Sequence, residues 1–363
     1  MSVSLSISQI LSSLQSLQDP LIIETIGHKL KADDIHIQGS TVSVRLTPGY
    51  FLTEIDRKAL QNQALNLLHS LGVTEVRLDI VNGVQKHKVQ EGLKPIETIK
   101  NIIAVASGKG GVGKSTTAVN LAVALAQAGA RVGILDADIY GPSQPLLLGV
   151  KGKPEMDKNN HMLPPQSHGV WVNSFGFLIE ENQAAIWRGP MVVQAMNQLL
   201  NLTAWPDLDY LIVDMPPGTG DIALSLAQKV PVVGAVIVTT PQDIALLDVR
   251  KGASMFQTVN VPILGVVENM SVHICSHCGH VEHIFGEDGG KQLAEKLAVS
   301  YLGGLPLTMS VREQSDSGVP IVAKSPDSEV GVIYQQMARK LMLNVSNLPK
   351  DMAHKFPPIV VKR

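Results

Sequence analysis

Ten residues, SGKGGVGKST from Ser107 to Thr116, constrain this chain more than any other stretch. They follow the apolar run NIIAVAS and open the helical segment TTAVNLAVALAQA. The pattern G-x4-G-K-S/T falls on Gly108, Gly113, Lys114 and Ser115, and its place between a strand and a helix is the context that gives such a match weight. Glycines let the backbone bend so that successive N–H groups surround phosphate oxygens, and the helix start adds positive potential. Lys114 then bridges the β- and γ-phosphates, and Ser115 supplies an oxygen to Mg²⁺. Gly108, Lys109, Gly110, Gly111, Val112, Gly113, Lys114, Ser115 and Thr116 are therefore the expected ATP-binding segment.

Around this loop the chain repeats one theme from Asn101 onward. The runs NIIAVAS, RVGILDAD, DYLIVDMP, VVGAVIVTT and VPILGVVEN are short and nearly unbroken in apolar residues, each followed by a glycine-rich or acidic turn and a helical segment. Such runs are buried parallel strands, and their alternation with helices implies right-handed βαβ units in a doubly wound sheet. The expected fold is α/β, a P-loop NTPase-type mostly parallel sheet with helices on both faces, with its site at the strand C-terminal ends. Before it stands a small α/β unit: Ile7, Ile10, Leu11, Leu14 and Leu17 recur at helical spacing, TVSVRLT and EVRLDIV alternate as half-buried strands, and a helix spans about Phe51 to Leu71. The polar stretch from Asn82 to Lys100 carries Gly83, Gly92 and Pro95 without a sustained period. The domain reading is 1–82 for the small unit, 83–100 for a linker, 101–345 for the ATPase domain and 346–363 for a tail.

Bulk properties remove several function classes. A net charge of −2 gives no broad basic footprint for nucleic acid or anionic lipid. The Ser-rich start lacks the basic and apolar regions of a secretory signal, its first basic residue being Lys29, and the run VPVVGAVIV is about half a membrane span. Two cysteines are no disulfide framework, so a reducing cytoplasm, with thiol chemistry or metal binding, is expected.

Carboxylates end two of the predicted strands. Asp136 and Asp138 lie in LDADIYGPS, and in LIVDMPPGTGD Asp214 ends the apolar run, the arrangement in which a strand-end carboxylate holds Mg²⁺. Asp136 and Asp138 also have a bland reading as caps of the turn through Gly141, Pro142 and Ser143. Gly218 to Gly220 form a candidate switch loop beside the γ-phosphate. The stretch KGGVGKST resembles the deviant phosphate loop of the ATPase class that includes MinD, ParA, the nitrogenase iron protein and the Mrp/ApbC proteins. That resemblance implies that Lys109 crosses a dimer interface to the other subunit's nucleotide, that Asp138 positions the attacking water, that Asp214 holds Mg²⁺ through water, and that Asn269 reads the base. Lys109, Lys114 and Asp138 are then the catalytic candidates.

Both cysteines, Cys275 and Cys278, lie in HICSHCGH at C-x2-C spacing. Two thiolates do not complete the four-ligand shell usual for zinc or an iron-sulfur cluster, and three readings compete. Histidines 273, 277, 280 and 283 could complete a zinc site, but their spacing is poor for a local finger. A redox pair is a second reading, although such motifs usually start a helix and this stretch continues with β-formers and Gly279. In the third, a two-fold axis doubles the C-x2-C into four thiolates shared by two chains; the dimer that Lys109 calls for is the same assembly.

SGKGGVGKST, LDADIYGPSQP, WRGPM at Trp187 to Met191, DMPPGTGD, VENMS and ICSHCGHVEHIFG, in this order, resemble the Mrp/ApbC (Nbp35-like) iron-sulfur cluster carrier ATPases over Asn101 to about Leu343. The resemblance implies a homodimer in which Cys275 and Cys278 of both subunits bind a labile 4Fe-4S cluster, with ATP linked to its delivery to apo-proteins. The N-terminal unit resembles the small MIP18-type domain of bacterial members, but LTPGYF, Leu46 to Phe51, lacks the cysteine often found after that turn, which points to interaction or scaffolding over metal binding. The competing reading is a MinD- or ParA-like positioning ATPase, which needs a basic tail or face; the last long helix reads as packed on the sheet, and FPPIVVKR is too short to insert in a membrane. An electron-transfer reductase like the nitrogenase iron protein would place its two cysteines far apart in sequence. No nucleic acid and no membrane partner are expected.

Overall fold

The computed structural model describes residues 6–178, 189–275 and 277–351. The chain divides into two units, Met1–Gln85 and Lys86–Arg363. Trp187 and Arg188 of the WRGPM motif and the terminal FPPIVVKR lie outside the described residues.

In the first unit, α1 (Ile7–Leu14) starts at Ser6, whose hydroxyl accepts the Gln9 N–H, and buries Ile10 and Leu14. Strands β1 (Ile35–Gln38) and β2 (Thr41–Leu46) pair antiparallel, and β2 pairs parallel with β3 (Glu75–Ile80). Val42, Val44 and Leu46 point into the core while Arg45 stays in water, the alternation a one-sided sheet requires. The connecting helix α2 (Glu54–His69) begins at Thr53, capped reciprocally with Asp56, and buries Leu60, Ala64 and Leu68 four residues apart. It is shorter than the Phe51–Leu71 expectation, because the cap at Thr53 fixes where it begins.

The second unit is built on β4 (Ile99–Ser107), α3 (Lys114–Gln127), β5 (Val132–Asp136) and the one-turn α4 (Gln144–Leu147). Short strands β6 (Glu155–Met156), β7 (Met162–Leu163) and β8 (Gln166–Ser167) lead to β9 (Val170–Ser174). Then come α5 (Gly189–Asn201), β10 (Leu208–Asp214), α6 (Asp221–Lys229), β11 (Gly234–Thr239), α7 (Asp243–Thr258) and β12 (Ile263–Ile274). Strand β13 (Val281–Glu282), α8 (Gly289–Leu297), β14 (Tyr301–Leu307), α9 (Met309–Asp316), α10 (Ile321–Lys324) and α11 (Glu329–Ser346) complete it. The sheet order is β13-β12-β11-β4-β10-β5-β9-β8, with β14 also paired to β12. Pairings among β14, β12, β11, β4, β10, β5 and β9 are parallel; only β13 and β8 pair antiparallel.

The five apolar runs are the strands β4, β5, β10, β11 and β12, and they are continuous in apolar residues because helices cover both faces. On one face Ile102, Ala104, Leu211 and Val213 pack with Val192, Met196 and Leu199 of α5, Leu226 of α6 and Phe256 of α7. On the other, α3 lies against β4, β5 and β10, and α11 lies against α3 and β14. Helix α11 buries Val330, Tyr334, Met337, Leu341 and Val345, whereas Val332 is exposed. Among the described residues no helix is long and apolar enough to cross a membrane.

The stretch read as a linker is not free chain throughout. Lys88 N–H bonds the Pro349 carbonyl, Asp351 N–H bonds the Lys86 carbonyl, and the Gln90 amide reaches the carbonyls of Ala227 and Val230. From Lys86 onward these residues satisfy backbone groups of the larger unit, a role invisible to a search for apolar periodicity.

Candidate functional site

Strand β4 ends at the bottom of the phosphate loop, and contacts on three sides set its shape. A side chain at Gly108 would lie 2.5 Å from the Asp248 carbonyl carbon of α7, so only a glycine lets that helix approach. Gly111 and Gly113 have φ of +81° and +79°, the left-handed region that disfavours other residues. At Gly113 a Cβ would also stand 2.1 Å from Asn269 Nδ2. That amide donates to the Val112 carbonyl at 2.9 Å, and the Ser107 hydroxyl donates to the Lys109 carbonyl at 2.8 Å. These bonds brace the loop backbone where it enters the start of α3. Gly113→Ala combines backbone strain of about 1–2 kcal/mol with that collision. We expect it to weaken nucleotide binding at least tenfold, measured by titration with a fluorescent nucleotide; unchanged affinity would refute this account of the loop.

Beside the loop lies a buried cluster of charge. Asp214 and Asp136 are register partners on the adjacent parallel strands β10 and β5, so their side chains emerge on the same face at the strand ends. Both are fully buried. The Lys114 ammonium, itself buried, donates to Asp214 Oδ1 and lies 3.2 Å from the Ser115 hydroxyl. Gln144 Nε2 donates to Asp214 Oδ2 at 2.8 Å and to the Ser115 carbonyl at 3.0 Å. Burial, and then the neighbouring charge of Asp214, push the Asp136 carboxyl up to about 7. Asp136 accepts from the N–H groups of Ser143, Gln144 and Asp138 and from the Ser174 hydroxyl. It clamps the turn that carries Asp138.

Asp138 is half-buried, and its Oδ1 accepts from the N–H groups of Tyr140 and Gly141 at 3.3 Å each, so the turn-capping role foreseen for it is real. Burial raises its pKa, against the lowering effect of Lys114. Gly218, at φ +86°, donates from its N–H to the Ser107 carbonyl, tying the loop after β10 to the phosphate loop. The Asp214 and Asp138 carboxylates and the Ser115 hydroxyl put hard oxygen donors beside the phosphate loop, with the Lys114 ammonium against Asp214. That chemistry fits a hard divalent cation such as Mg²⁺. Lys109 is part-exposed, and among the described residues its ammonium makes no ion pair.

The cysteines sit at the tip of a hairpin that grows out of the same sheet. Strand β12 runs from the core past Asn269 to Ile274, with a register shift against β14 between Asn269 and His273 where Met270 takes φ +56°, and β13 returns antiparallel beside it, with His273 opposite Glu282. At the tip, Cys275 N–H bonds the His280 carbonyl at 2.9 Å and Gly279 N–H bonds the Cys275 carbonyl at 2.8 Å, with Gly279 at φ +72°. The backbone N–H groups of Cys278 and then His277 point at the Cys275 thiol and lower its pKa. This is a turn already folded to present thiolates. Both cysteines are free, Cys278 exposed and Cys275 partly so. His280 faces Glu282 at 4.0 Å, His283 faces Glu287 at 3.8 Å and His273 faces the Leu307 carbonyl at 3.5 Å. Among the described residues no three His, Cys, Asp or Glu side chains gather as a metal-holding group within one chain.

The structure therefore brings Gly108 to Thr116, Asp138, Asp214 and Asn269 together and places Cys275 and Cys278 on a separate hairpin reached through the strand of Asn269. Asn269 was expected at the nucleotide base; here its side-chain amide supports the loop backbone. Gln144 was missed, because a glutamine in the turn GPSQP has no sequence signature; only folding brings it onto Asp214.

A mostly parallel sheet with this loop at the end of a central strand, carboxylates at neighbouring strand ends and an N–H-lined start of α3 defines a P-loop nucleoside triphosphatase. The family model described as NUBPL iron-transfer P-loop NTPase, of the ParA group, matches residues 98–342, and the chain belongs to that family. It is 57% identical over 269 residues to an iron-sulfur cluster carrier protein of Pseudomonas fragi, covering 74% of this chain and 94% of that one. To the iron-sulfur cluster carrier protein of Escherichia coli K12 it is 47% identical over 335 residues, 92% of this chain and 91% of the other. The mouse iron-sulfur cluster transfer protein NUBPL is 52% identical over 71% of this chain and 81% of its own. Among solved structures, a nucleotide-binding protein of Archaeoglobus fulgidus in complex with ADP superimposes with a TM-score of 0.55 at 38% identity, over 61% of this chain and 88% of that one. The cell division ATPase MinD of Pyrococcus furiosus, at 24% identity and a TM-score of 0.52 over 66% of this chain and 98% of its own, shares the fold.

Proposed function

We propose that this chain is an ATP-binding and hydrolysing iron-sulfur cluster carrier. Two copies hold one labile 4Fe-4S cluster as cargo through Cys275 and Cys278 of each, and deliver it to apo-proteins. The observation that carries this reading is the hairpin tip. Backbone N–H groups aimed at Cys275 Sγ stabilise a thiolate, the soft ligand an iron-sulfur cluster takes. One chain offers two such ligands, and a two-fold axis supplies the other two. The names of the relatives in Pseudomonas fragi, Escherichia coli and mouse support the same reading.

In this proposal the loop Gly108 to Thr116 binds the phosphates, Ser115 and Asp214 hold Mg²⁺, Asp138 orients the attacking water, and Lys109, having no ion pair of its own among the described residues, reaches the partner's nucleotide. Mg²⁺ neutralises charge on the β- and γ-phosphates. Lys114 leaves Asp214 for the phosphates, freeing Asp214 Oδ1 for the cation. Asn269 lies between the two functions: it touches the phosphate loop, and its strand continues to the cysteines. The small N-terminal unit is a MIP18-like interaction module in this reading, and a reducing cytoplasm is the compartment in which Cys275 and Cys278 stay free.

Native mass measured with iron and sulfide counts on anaerobically purified protein tests the proposal. Two chains carrying one cluster of four irons and four sulfides are expected. A reconstituted protein that binds iron as a monomer would overturn it.

A further inference from the structure

Gln144 is one of the most enclosed polar side chains in the molecule, with no exposed surface. Its Nε2 lies 2.8 Å from Asp214 Oδ2 and 3.0 Å from the Ser115 carbonyl. Both partners are acceptors, so the amide can be oriented only one way: nitrogen toward them, oxygen away. The oxygen, Gln144 Oε1, is buried and meets no donor among the described residues. A buried acceptor left without a donor costs about 1–3 kcal/mol, so such an atom beside a charged cluster points to something that binds there. The residue is also anchored by its backbone, whose N–H donates to Asp136 Oδ2 at 2.9 Å.

We propose that Gln144 is a positioning residue for the divalent cation of the nucleotide site: its amide N–H group fixes Asp214, and its carbonyl oxygen accepts from a water of the cation's hydration shell. The need for it follows from the position of Lys114. While Lys114 donates to Asp214 Oδ1, both carboxylate oxygens are held. When the ammonium moves to the phosphates, Asp214 keeps one anchor, the Gln144 amide, and that anchor sets which way Oδ1 faces. The second bond of the same nitrogen, to the Ser115 carbonyl, ties this orientation to the residue whose hydroxyl offers the cation its other oxygen. A single amide thereby couples two elements distant in sequence, α3 and β10, at the point where both must address one ion. The inference rests on the reading that Mg²⁺ accompanies the nucleotide here.

The test uses full-length protein and fluorescent ADP, titrated with Mg²⁺ and again with EDTA, and reads the ratio of the two affinities. Gln144→Leu and Gln144→Met, which keep bulk and remove the amide, are expected to lower that ratio about tenfold relative to wild type, the effect of losing a hydrogen bond to a charged acceptor. A packing role would weaken both arms together and leave the ratio at the wild-type value, which overturns the proposal. Failure of both variants to fold, read by thermal melting, overturns it too, because the amide would then serve stability. A wild-type ratio near one removes the Mg²⁺ reading itself, whereas a large wild-type ratio retained in the variants removes only the role of Gln144.

Discussion

Lys114→Ala is expected to lower ATP turnover at least about a hundredfold and nucleotide affinity about tenfold or more, in a steady-state phosphate-release assay and a binding titration. Its ammonium is the cation buried against Asp214, with Asp136 as register partner alongside, so the variant leaves two buried carboxylates facing an anionic ligand without it. The electrostatic penalty therefore falls on binding as well as on the chemical step. Asp138→Ala separates the two. Its carboxylate lies half-buried on the turn clamped by Asp136, and its hydrogen bonds among the described residues go to the Tyr140 and Gly141 N–H groups of that turn. Turnover should fall about a hundredfold with affinity changed only a few-fold. Wild-type turnover in either variant would sink the assignment of the site.

The second large effect concerns the hairpin. Cys275→Ala and Cys278→Ala are each expected to abolish the cluster's visible absorbance and iron content after anaerobic reconstitution, while nucleotide affinity stays near wild type. Losing one thiolate per chain leaves two of four ligands in a shared site, too few to retain a cluster. The nucleotide loop is insulated because its contact with this strand is through Asn269, six residues before Cys275. Cys275→Ser sharpens the test: its oxygen still accepts the N–H groups of Cys278 and His277, preserving the turn, but it is a hard ligand in place of a soft one. A serine variant that holds a full cluster would show that the turn, and not the sulfur, is what the site requires.

The sheet was legible in the sequence because its strands are buried on both faces, and that environment writes itself as unbroken apolar runs at β4, β5, β10, β11 and β12. β9 and β14 were not recognised as strands. Val170–Ser174 is five residues long with a tryptophan and an asparagine in it, and Tyr301–Leu307 contains two glycines and a proline, so neither gives a periodic signal. The glycines of the phosphate loop carried their own explanation, since a loop that must wrap phosphate with backbone N–H groups can be written with few other residues. For the same reason C-x2-C marked a thiolate site while leaving its partners open.

Only the tertiary structure decided how these pieces meet. Asp136 and Asp214 are 78 residues apart, and no local pattern pairs them; parallel register on β5 and β10 does. Gln144 becomes informative through where its amide is pinned, and Asn269 through the carbonyl it supports, neither of which depends on neighbours in sequence. Three of the four histidines around the cysteines, His280, His283 and His273, face Glu282, Glu287 and a backbone carbonyl once the hairpin forms. Local chemistry was written in the residue types and their spacing, because phosphate loops and metal turns are built from contiguous backbone. Charge clusters and their anchors are built from side chains brought together across the sheet, and strand order and register set those distances.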